Sequence, residues 1–241
     1  MVQPIVFIGG FLSFPAIYEE MRQTLEVSAG QPVRIVDACI HDWLLATTPA
    51  GWKRLLDKLR HTVRQALRDS STGKVTIVGH SAGGVVARLY LSPDPFLGVA
   101  YSGLDHVACL ITLGSPHYSE RGTRMRQWVE KMYPGAYFAP RIGYVSVAGE
   151  AVEGQRDGSL RERCAYLLYQ RLAGDGNAWG DGLVPVRSAL LRGSLLIVLD
   201  GVSHFSGFGG PWYGEQEIVP LWWNACSGNG RRGLEASPAF G

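Results

Sequence analysis

Short runs of consecutive apolar residues, many of them β-branched, recur along the chain. Each run is four to eight residues long, and several end in glycine. Runs without regular polar alternation are typical of strands that are buried on both faces of a parallel sheet. The sequence therefore predicts strands within residues 4–8, 33–38, 74–79, 107–114, 144–149 and 194–201.

The segments between these runs carry apolar residues at helical spacing. The longest, residues 52–67, places Leu55, Leu59 and Val63 on one face with Lys and Arg between them. Shorter helices are predicted at residues 18–25, 84–91 and 160–172. Because strands and helices alternate, we expect an α/β fold, a doubly wound and mostly parallel sheet of about six strands with right-handed crossovers.

Length and composition fit a single globular domain. The chain has 241 residues, of which 46% are hydrophobic and 18% are charged, so a large apolar core is available without disulfides or metals. We expect one domain over residues 1–225 with a small helical cap inserted near residues 116–142. Residues 226–241 are rich in Gly, Ser and Pro, and we expect them to form a flexible tail.

Charge and targeting signals exclude several classes of partner. A formal net charge of +2 gives no strong field for nucleic acid or an anionic membrane. No stretch reaches the roughly 18 uninterrupted apolar residues of a membrane span, and the apolar N-terminus has no basic leading segment. We expect a cytoplasmic protein, or one of an organelle stroma if a transit peptide was removed, with only transient lipid-surface contact. The oligomeric state is left open.

One serine lies between glycines directly after the third predicted strand. The stretch VGHSAGG places Ser81 in a G-x-S-x-G pattern, and the predicted helix 84–91 follows it. A strand–turn–helix is the context in which such a serine is a nucleophile, because the tight turn raises the hydroxyl above the sheet. The helix N-terminus also directs free N–H groups at the site. The alternative is an ordinary glycine-rich turn, since the pentapeptide alone is a weak signal.

A serine nucleophile needs a general base, and His204 is the candidate. His204 follows the last predicted strand in GVSHFSG, between apolar Val202 and Phe205. The base in turn needs a carboxylate, and Asp181 is favoured because flanking glycines let the backbone aim its side chain. The alternatives for the carboxylate are Asp157, Asp175 and Asp200.

Backbone N–H groups near Ser81 are candidates for an oxyanion hole. The transition state of acyl transfer carries a negative oxygen that needs preorganised donors. Ala82, next after the serine, supplies one N–H, and Phe11 in the loop IGGF supplies the second. Gly10 permits a conformation in which the Phe11 N–H points inward. The alternative is a simple glycine turn after the first strand.

Apolar side chains near the predicted site favour a hydrophobic substrate. In RMRQWVEKM, Met125 and Trp128 lie on one apolar face of a helix. That helix is either a lid whose apolar face meets the substrate or an ordinary packed surface helix. Phe14, Phe205 and Phe208 lie in loops near the predicted catalytic groups, where they are candidates to line an acyl pocket.

Five stretches resemble lipases and esterases of the α/β-hydrolase superfamily. The likeness is to compact bacterial-type lipases and to hydrolases related to GPI inositol-deacylases, and it runs from Pro4 to about Gly207. The stretches that carry it are PIVFIGGF, VTIVGHSAGGVVARLYL, LITLGSPH, DGLVPVRSALL and GVSHFSG.

The resemblance implies ester hydrolysis through an acyl-serine, without a cofactor and without a metal. Ser81, Asp181 and His204 stand in the family's chain order of nucleophile, acid and base. The resemblance also assigns the oxyanion donors to the N–H groups of Phe11 and Ala82. One departure is the Gly-Gly before Phe11, where the family often has His-Gly. A side chain that commonly braces this loop is therefore missing.

Two alternatives to an ester hydrolase stay open. A thioesterase or an amidase would carry the same triad, because the substrate pocket selects the leaving group. A catalytically silent hydrolase-fold protein that binds a small molecule would have little use for all three catalytic side chains. The sequence therefore favours hydrolysis of a carboxylic ester, an acyl lipid or a medium- to long-chain ester.

Overall fold

The computed structural model describes residues 1–207 and 209–226. Its strands are β1 (Ile5–Ile8), β2 (Val33–Ile35), β3 (Val75–His80), β4 (Val107–Leu113), β5 (Gly143–Glu150), β6 (Val152–Glu153), β7 (Trp179–Gly180) and β8 (Leu195–Asp200). Six of them form one sheet in the order β2-β1-β3-β4-β5-β8, and every neighbouring pair in it is parallel. The remaining two, β6 and β7, form a small antiparallel pair.

Helices connect these strands. They are α1 (Glu19–Ala29), α2 (Ile40–Leu45), α3 (Pro49–Asp69), α4 (Ala82–Tyr90), α5 (Arg124–Met132), α6 (Leu160–Ala173), α7 (Val186–Ala189) and α8 (Val219–Cys226). Two 3-10 turns, Pro15–Tyr18 and Gly103–Asp105, complete the regular elements of the described residues. The predicted α/β class with a parallel sheet of about six strands is confirmed.

The hydrophobic core lies on both faces of the sheet. In β1, Val6 and Ile8 pack with residues of α3, α4 and α5, whereas Ile5 and Phe7 pack with residues of α1 and α8. Since successive side chains of a strand point to opposite faces, helices on both sides require a continuous apolar run. This packing explains the unbroken runs in the sequence.

Some elements differ from the sequence-based expectations. Helices α2, α7 and α8 fall in segments to which no helix was assigned. These helices are four to eight residues long, and such short helices depend on packing rather than on intrinsic propensity. Residue 226, the first of the predicted tail, is the last residue of α8. Residues 227–241, the rest of the predicted tail, lie outside the described residues.

The segment 114–142 joins β4 to β5 and carries the predicted cap helix as α5. Helix α5 packs against α4, the helix that follows Ser81. Within residues 1–207 and 209–226, no helix combines the length and the apolar character needed to cross a membrane.

Candidate active site

Ser81 lies in a strained turn between β3 and α4. Its φ and ψ are 52° and −128°, a combination that L-residues adopt only where the surrounding structure enforces it. The Ser81 N–H donates to the carbonyl of Leu113 in the neighbouring strand at 2.9 Å. The side chain is 6% exposed. The strained backbone and the strand–turn–helix setting are those that the sequence predicts for this turn. The nucleophilic role of Ser81 stays a prediction.

Close backbone contacts explain why the residue two positions after Ser81 is a glycine. A Cβ atom at Gly83 would lie 2.3 Å from the carbonyl oxygen of Gly9 and 2.4 Å from that of Ile8. No side chain fits there without moving β1. The turn therefore needs glycine at this position for steric reasons.

Asp181 and His204 form a buried pair. The Nδ1 atom of His204 is 2.6 Å from Oδ2 of Asp181, and both side chains have no exposure to solvent. The backbone N–H of His204 also donates to the carbonyl of Asp181, at 2.8 Å. Of the alternatives, Asp200 ends β8 as an exposed residue, and Asp175 lies 3.8 Å from Arg187. Asp181 is therefore the carboxylate that contacts the histidine.

Every oxygen of the Asp181 carboxylate accepts hydrogen bonds. Oδ1 accepts the N–H groups of Leu183 and Val184, at 3.0 and 2.7 Å. Oδ2 accepts the hydroxyl of Tyr213 at 2.9 Å in addition to His204. These partners are all donors, so the carboxylate of Asp181 acts only as an acceptor. In this environment Nδ1 of His204 is the donor, so Nε2 carries the lone pair that a general base needs.

A second hydrogen bond fixes the direction of the Tyr213 hydroxyl. The N–H of Gly149 donates to the Tyr213 hydroxyl at 2.6 Å, so the hydroxyl proton is left for Asp181. Burial, with the charge of Asp181, raises the pKa of Tyr213 well above its usual value. Tyr213 is thus a permanent donor to the carboxylate, a role that its position in PWYG did not indicate.

The Nε2 lone pair of His204 accepts no hydrogen bond within the described residues. Its Nε2 atom is buried and has no hydrogen-bond partner among the described residues, so the bond to the Ser81 hydroxyl is not formed. Catalytic hydrogen bonds are often long before substrate binds and tighten only in the reacting complex. The ring of His80, adjacent to Ser81, lies 4.8 Å from the His204 ring, centroid to centroid. The imidazole of His204 is thus packed against the turn that holds Ser81.

His80 is a second buried imidazole at the site. Its Nδ1 atom is 2.9 Å from the hydroxyl of Tyr18. Burial, reinforced by the neighbouring His204, holds the pKa of His80 well below its usual value, against a smaller opposing main-chain contact with His204. His80 therefore stays neutral and adds no positive charge beside the base.

The proposed oxyanion donors flank Ser81. Ala82 is the first residue of α4, so its N–H has no acceptor within the helix. On the other side, a Cβ atom at Gly10 would lie 2.6 Å from Cβ of Ser81, which places the loop after β1 directly against the serine. Phe11 follows in that loop, with its side chain 42% exposed.

The predicted acyl-pocket residues fall in different places. Phe205 packs on His204, with ring centroids 4.5 Å apart, and Phe14 is 41% exposed in the loop after β1. Phe208 lies outside the described residues. Met125 is buried in the core with residues of α3 and α4, and Trp128 packs on Phe96 at 5.8 Å.

These contacts of α5 agree with the packed-helix alternative, and a substrate-facing role of Met125 and Trp128 stays a prediction. The apolar face with Met125 is turned to the core, because Val129 on the same face is fully buried. The arrangement corresponds to the ordinary packed helix that the sequence left as the alternative.

Two cavities lie away from these candidate catalytic side chains. A groove of about 560 Å³ runs along α3 and is lined by Lys53, Arg54 and Asp57 among others. A second cavity of about 330 Å³ lies beside Tyr118 and Arg187. Neither is lined by Ser81, Asp181 or His204.

Comparison with known proteins agrees with this architecture. A family model described as a PGAP1-like alpha/beta domain matches residues 52–133, a stretch that contains Ser81 but less than half of the chain. No curated protein matches the sequence.

Solved structures show the fold. The chain is similar to MGS-MChE2, an α/β-hydrolase enzyme from the metagenome of lagoon sediments at Mar Chica, Morocco, with 13% identity over 93% of this chain and 92% of that chain, at a TM-score of 0.50. It is also similar to tomato methylketone synthase I in complex with 2-tridecanone, with 8% identity over 96% of this chain and 99% of that one, at a TM-score of 0.50. At these identities the likeness shows the α/β-hydrolase fold.

A third similarity covers only part of each protein. A pyrethroid hydrolase from Sphingobium faniae shares 24% identity over 51% of this chain and 43% of the other, with a TM-score of 0.32. The chain thus spans less than half the length of that hydrolase.

Proposed function

We propose that this chain, an α/β-hydrolase by fold, is a serine hydrolase that cleaves hydrophobic carboxylic esters. The observation that carries the proposal is the buried 2.6 Å hydrogen bond between Asp181 and His204 beside the strained turn of Ser81. A buried carboxylate–imidazole pair that packs on His80, the residue before such a serine, has the composition of a catalytic triad.

In the proposed reaction, the Ser81 hydroxyl attacks the ester carbonyl while His204 Nε2 takes its proton. The negative oxygen of the tetrahedral intermediate is bound by the N–H groups of Ala82 and Phe11. The C–O bond to the alcohol then breaks, and His204 returns the proton to the leaving alkoxide. Water attacks the acyl-serine by the same route, releases the acid and restores Ser81. Asp181 holds the tautomer and stabilises the imidazolium throughout.

Exposed apolar side chains support a hydrophobic acyl group. The segment that follows Gly10 presents Phe11, Leu12, Phe14 and Ile17, each between 41% and 49% exposed. Helix α2, which follows the neighbouring strand, adds exposed Leu44 and Leu45. These exposed apolar side chains follow the carboxyl ends of two neighbouring parallel strands, β1 and β2, and they support an acyl chain as the ligand.

The first prediction concerns the nucleophile. Ser81→Ala is expected to lower kcat toward p-nitrophenyl esters by several orders of magnitude, with about 10³-fold catalysis over water remaining. The measurement is the steady-state rate, together with labelling by a fluorophosphonate probe. Ser92→Ala, at a serine that is also buried but bonds to Tyr133, serves as the matched control and keeps full activity.

The same assay separates the other reactions. Esters of increasing chain length, acyl-CoA and anilides are compared, and the highest kcat/KM is expected for medium- or long-chain esters. A folded wild type that neither turns over any substrate nor reacts with the fluorophosphonate would contradict the proposal and favour a silent binding protein. Higher kcat/KM for acyl-CoA or anilides would favour a thioesterase or an amidase.

A further inference from the structure

Two hydroxyl groups fix the backbone of Gly10 in the loop after β1. The Tyr18 hydroxyl accepts the N–H of Gly10 at 3.1 Å, and the Ser13 hydroxyl donates to the Gly10 carbonyl at 2.6 Å. The backbone N–H of Ser13 donates to the same carbonyl at 3.2 Å. Both side chains are nearly inaccessible, with 2% exposure for Tyr18 and 3% for Ser13. Both backbone polar groups of Gly10 therefore have buried partners.

The bond to the Gly10 carbonyl also orients the N–H of Phe11. That carbonyl and that N–H belong to one trans peptide unit, in which they point in opposite directions. Ser13 binds the carbonyl on one side, so the Phe11 N–H is directed to the other. Because a Cβ atom at Gly10 would lie 3.2 Å from the Ser81 hydroxyl oxygen, this peptide unit lies beside the reacting atom.

The loop needs such restraint because part of it is strained. Leu12 has a φ of 61° although it is not glycine, a conformation that costs on the order of 1–3 kcal/mol. Its side chain is 49% exposed, so its own packing contributes little to holding the loop. The hydrogen bonds of Ser13 and Tyr18 are the contacts that restrain the backbone.

Tyr18 also connects this loop to the turn of Ser81. Its hydroxyl accepts the Gly10 N–H and lies 2.9 Å from Nδ1 of His80. With the imidazole proton on Nε2, the hydroxyl donates its one proton to Nδ1. His80 accepts the bond because burial keeps its imidazole neutral, with a lowered pKa. A chain of two hydrogen bonds thus runs from Gly10 through Tyr18 to the residue that precedes Ser81.

We infer that Tyr18 and Ser13 are positioning residues that hold the Phe11 N–H in place as the second oxyanion donor. The inference rests on the proposed function and extends it to two side chains that do not touch the substrate. In this arrangement Tyr18 sets the distance between the loop and the nucleophile turn. Ser13 sets the rotation of the peptide unit that carries the donor.

The test compares Tyr18→Phe and Ser13→Ala with the wild type. Tyr18→Phe keeps the ring and is expected to lower kcat about 10- to 100-fold with KM within twofold, because the donor acts mainly in the transition state. Affinity for a phenylboronic acid, whose adduct with the serine is tetrahedral, is expected to fall by the same factor. Ser13→Ala is expected to show a smaller change of the same kind, since the backbone bond of residue 13 remains.

A matched control removes a hydrogen-bonded tyrosine hydroxyl elsewhere. Tyr101 is 6% exposed, and its hydroxyl lies 2.9 Å from Asp57 of α3. Tyr101→Phe is expected to lower thermal stability and leave kcat and boronate affinity unchanged. Thermal unfolding of every variant separates a loss of folding from a loss of positioning.

The outcomes are separable. Folded Tyr18→Phe with unchanged kcat and boronate affinity, or with a raised KM alone, overturns the inference and leaves the proposed function standing. If Tyr18→Phe does not fold, Ser13→Ala decides by the same two readouts. A wild type that neither hydrolyses esters nor reacts with a fluorophosphonate overturns the proposed function and this inference with it.

Discussion

At the scale of single residues, tyrosine hydroxyls hold the groups that we propose to be catalytic. Tyr213 donates to Asp181, and Tyr18 accepts from Gly10 while it donates to His80. Each hydroxyl is deeply buried, where an unsatisfied polar group is costly and a satisfied one has a fixed direction. The two tyrosines therefore support two parts of the proposed site, Tyr213 at the carboxylate that contacts His204 and Tyr18 at the loop after β1.

Removal of the Tyr213 hydroxyl tests its effect on the carboxylate. Tyr213→Phe deletes one of four hydrogen bonds to a buried charge and leaves the Gly149 N–H unpaired. We expect a loss of about 1.5–3 kcal/mol in the free energy of unfolding and a roughly tenfold lower kcat, since about 1.4 kcal/mol of transition-state stabilisation is a factor of ten. Urea unfolding and steady-state kinetics measure the two.

The control for Tyr213 is another buried tyrosine hydroxyl. Tyr133→Phe removes a hydroxyl that lies 2.7 Å from Ser92, behind α4. It is expected to lower stability while kcat is retained. An equal fall of kcat in both variants would show that Tyr213 acts only through general stability.

At the scale of elements, α5 and α4 form one packed unit next to the turn of Ser81. Arg88 of α4 is buried and lies against the ring of His117 and the carbonyl of Tyr133, just after α5. Burial lowers the pKa of this guanidinium, which still remains charged at neutral pH because the usual pKa of arginine is far above neutral. These contacts tie the segment between β4 and β5 to the helix that presents Ser81.

Substitution of Met125 distinguishes a packed helix from a lid. Met125→Ala removes a side chain that is 9% exposed, so about 2–5 kcal/mol of unfolding free energy is expected to be lost. The ratio of kcat/KM between short and long esters is expected to stay unchanged. Met132→Ala, on the same helix at 44% exposure, is the near-neutral control. A changed chain-length ratio for Met125→Ala would favour the lid hypothesis.

At the scale of the whole molecule, two buried neutral histidines couple folding to pH. His80 and His117 are at most 1% exposed. Burial lowers the pKa of both well below the usual 6.5, with the charge of Arg88 adding to the effect at His117. The unfolded chain binds protons at these positions below about pH 6.5, whereas the folded chain does not. The stability that these two neutral histidines contribute is therefore fully present above about pH 6.5, and it is lost progressively as the pH falls below that value.

The expected slope follows from the number of protons. Each excess proton in the unfolded state contributes about 1.4 kcal/mol per pH unit, so the two histidines together approach about 2.7 kcal/mol per unit below pH 6. Urea unfolding at several pH values between 7.5 and 5 measures the slope. His117→Asn is expected to halve it, and His61→Gln, at an exposed position, to leave it unchanged. A stability that is constant over this range would contradict the assignment of neutral buried histidines.

The sequence by itself determined the order of elements and the turn of Ser81. Apolar runs and helical periodicity record which faces of an element are buried, so six parallel strands and the larger helices were predictable from local spacing. The strand predicted at residues 74–79 is β3 (Val75–His80) in the structure, and the strained turn of Ser81 follows it. The catalytic role of Ser81 stays a prediction until it is measured.

The tertiary structure alone decided which distant side chains meet. Tyr18 and His80 are 62 residues apart, and Tyr213 and Asp181 are 32 apart. No local pattern encodes such pairs, because periodicity specifies that a residue is buried but not which residue lies opposite. The same limit applied to α5, because the spacing of its apolar residues fitted both a lid and a packed helix. Only the structure shows that Met125 and Val129 lie in the core.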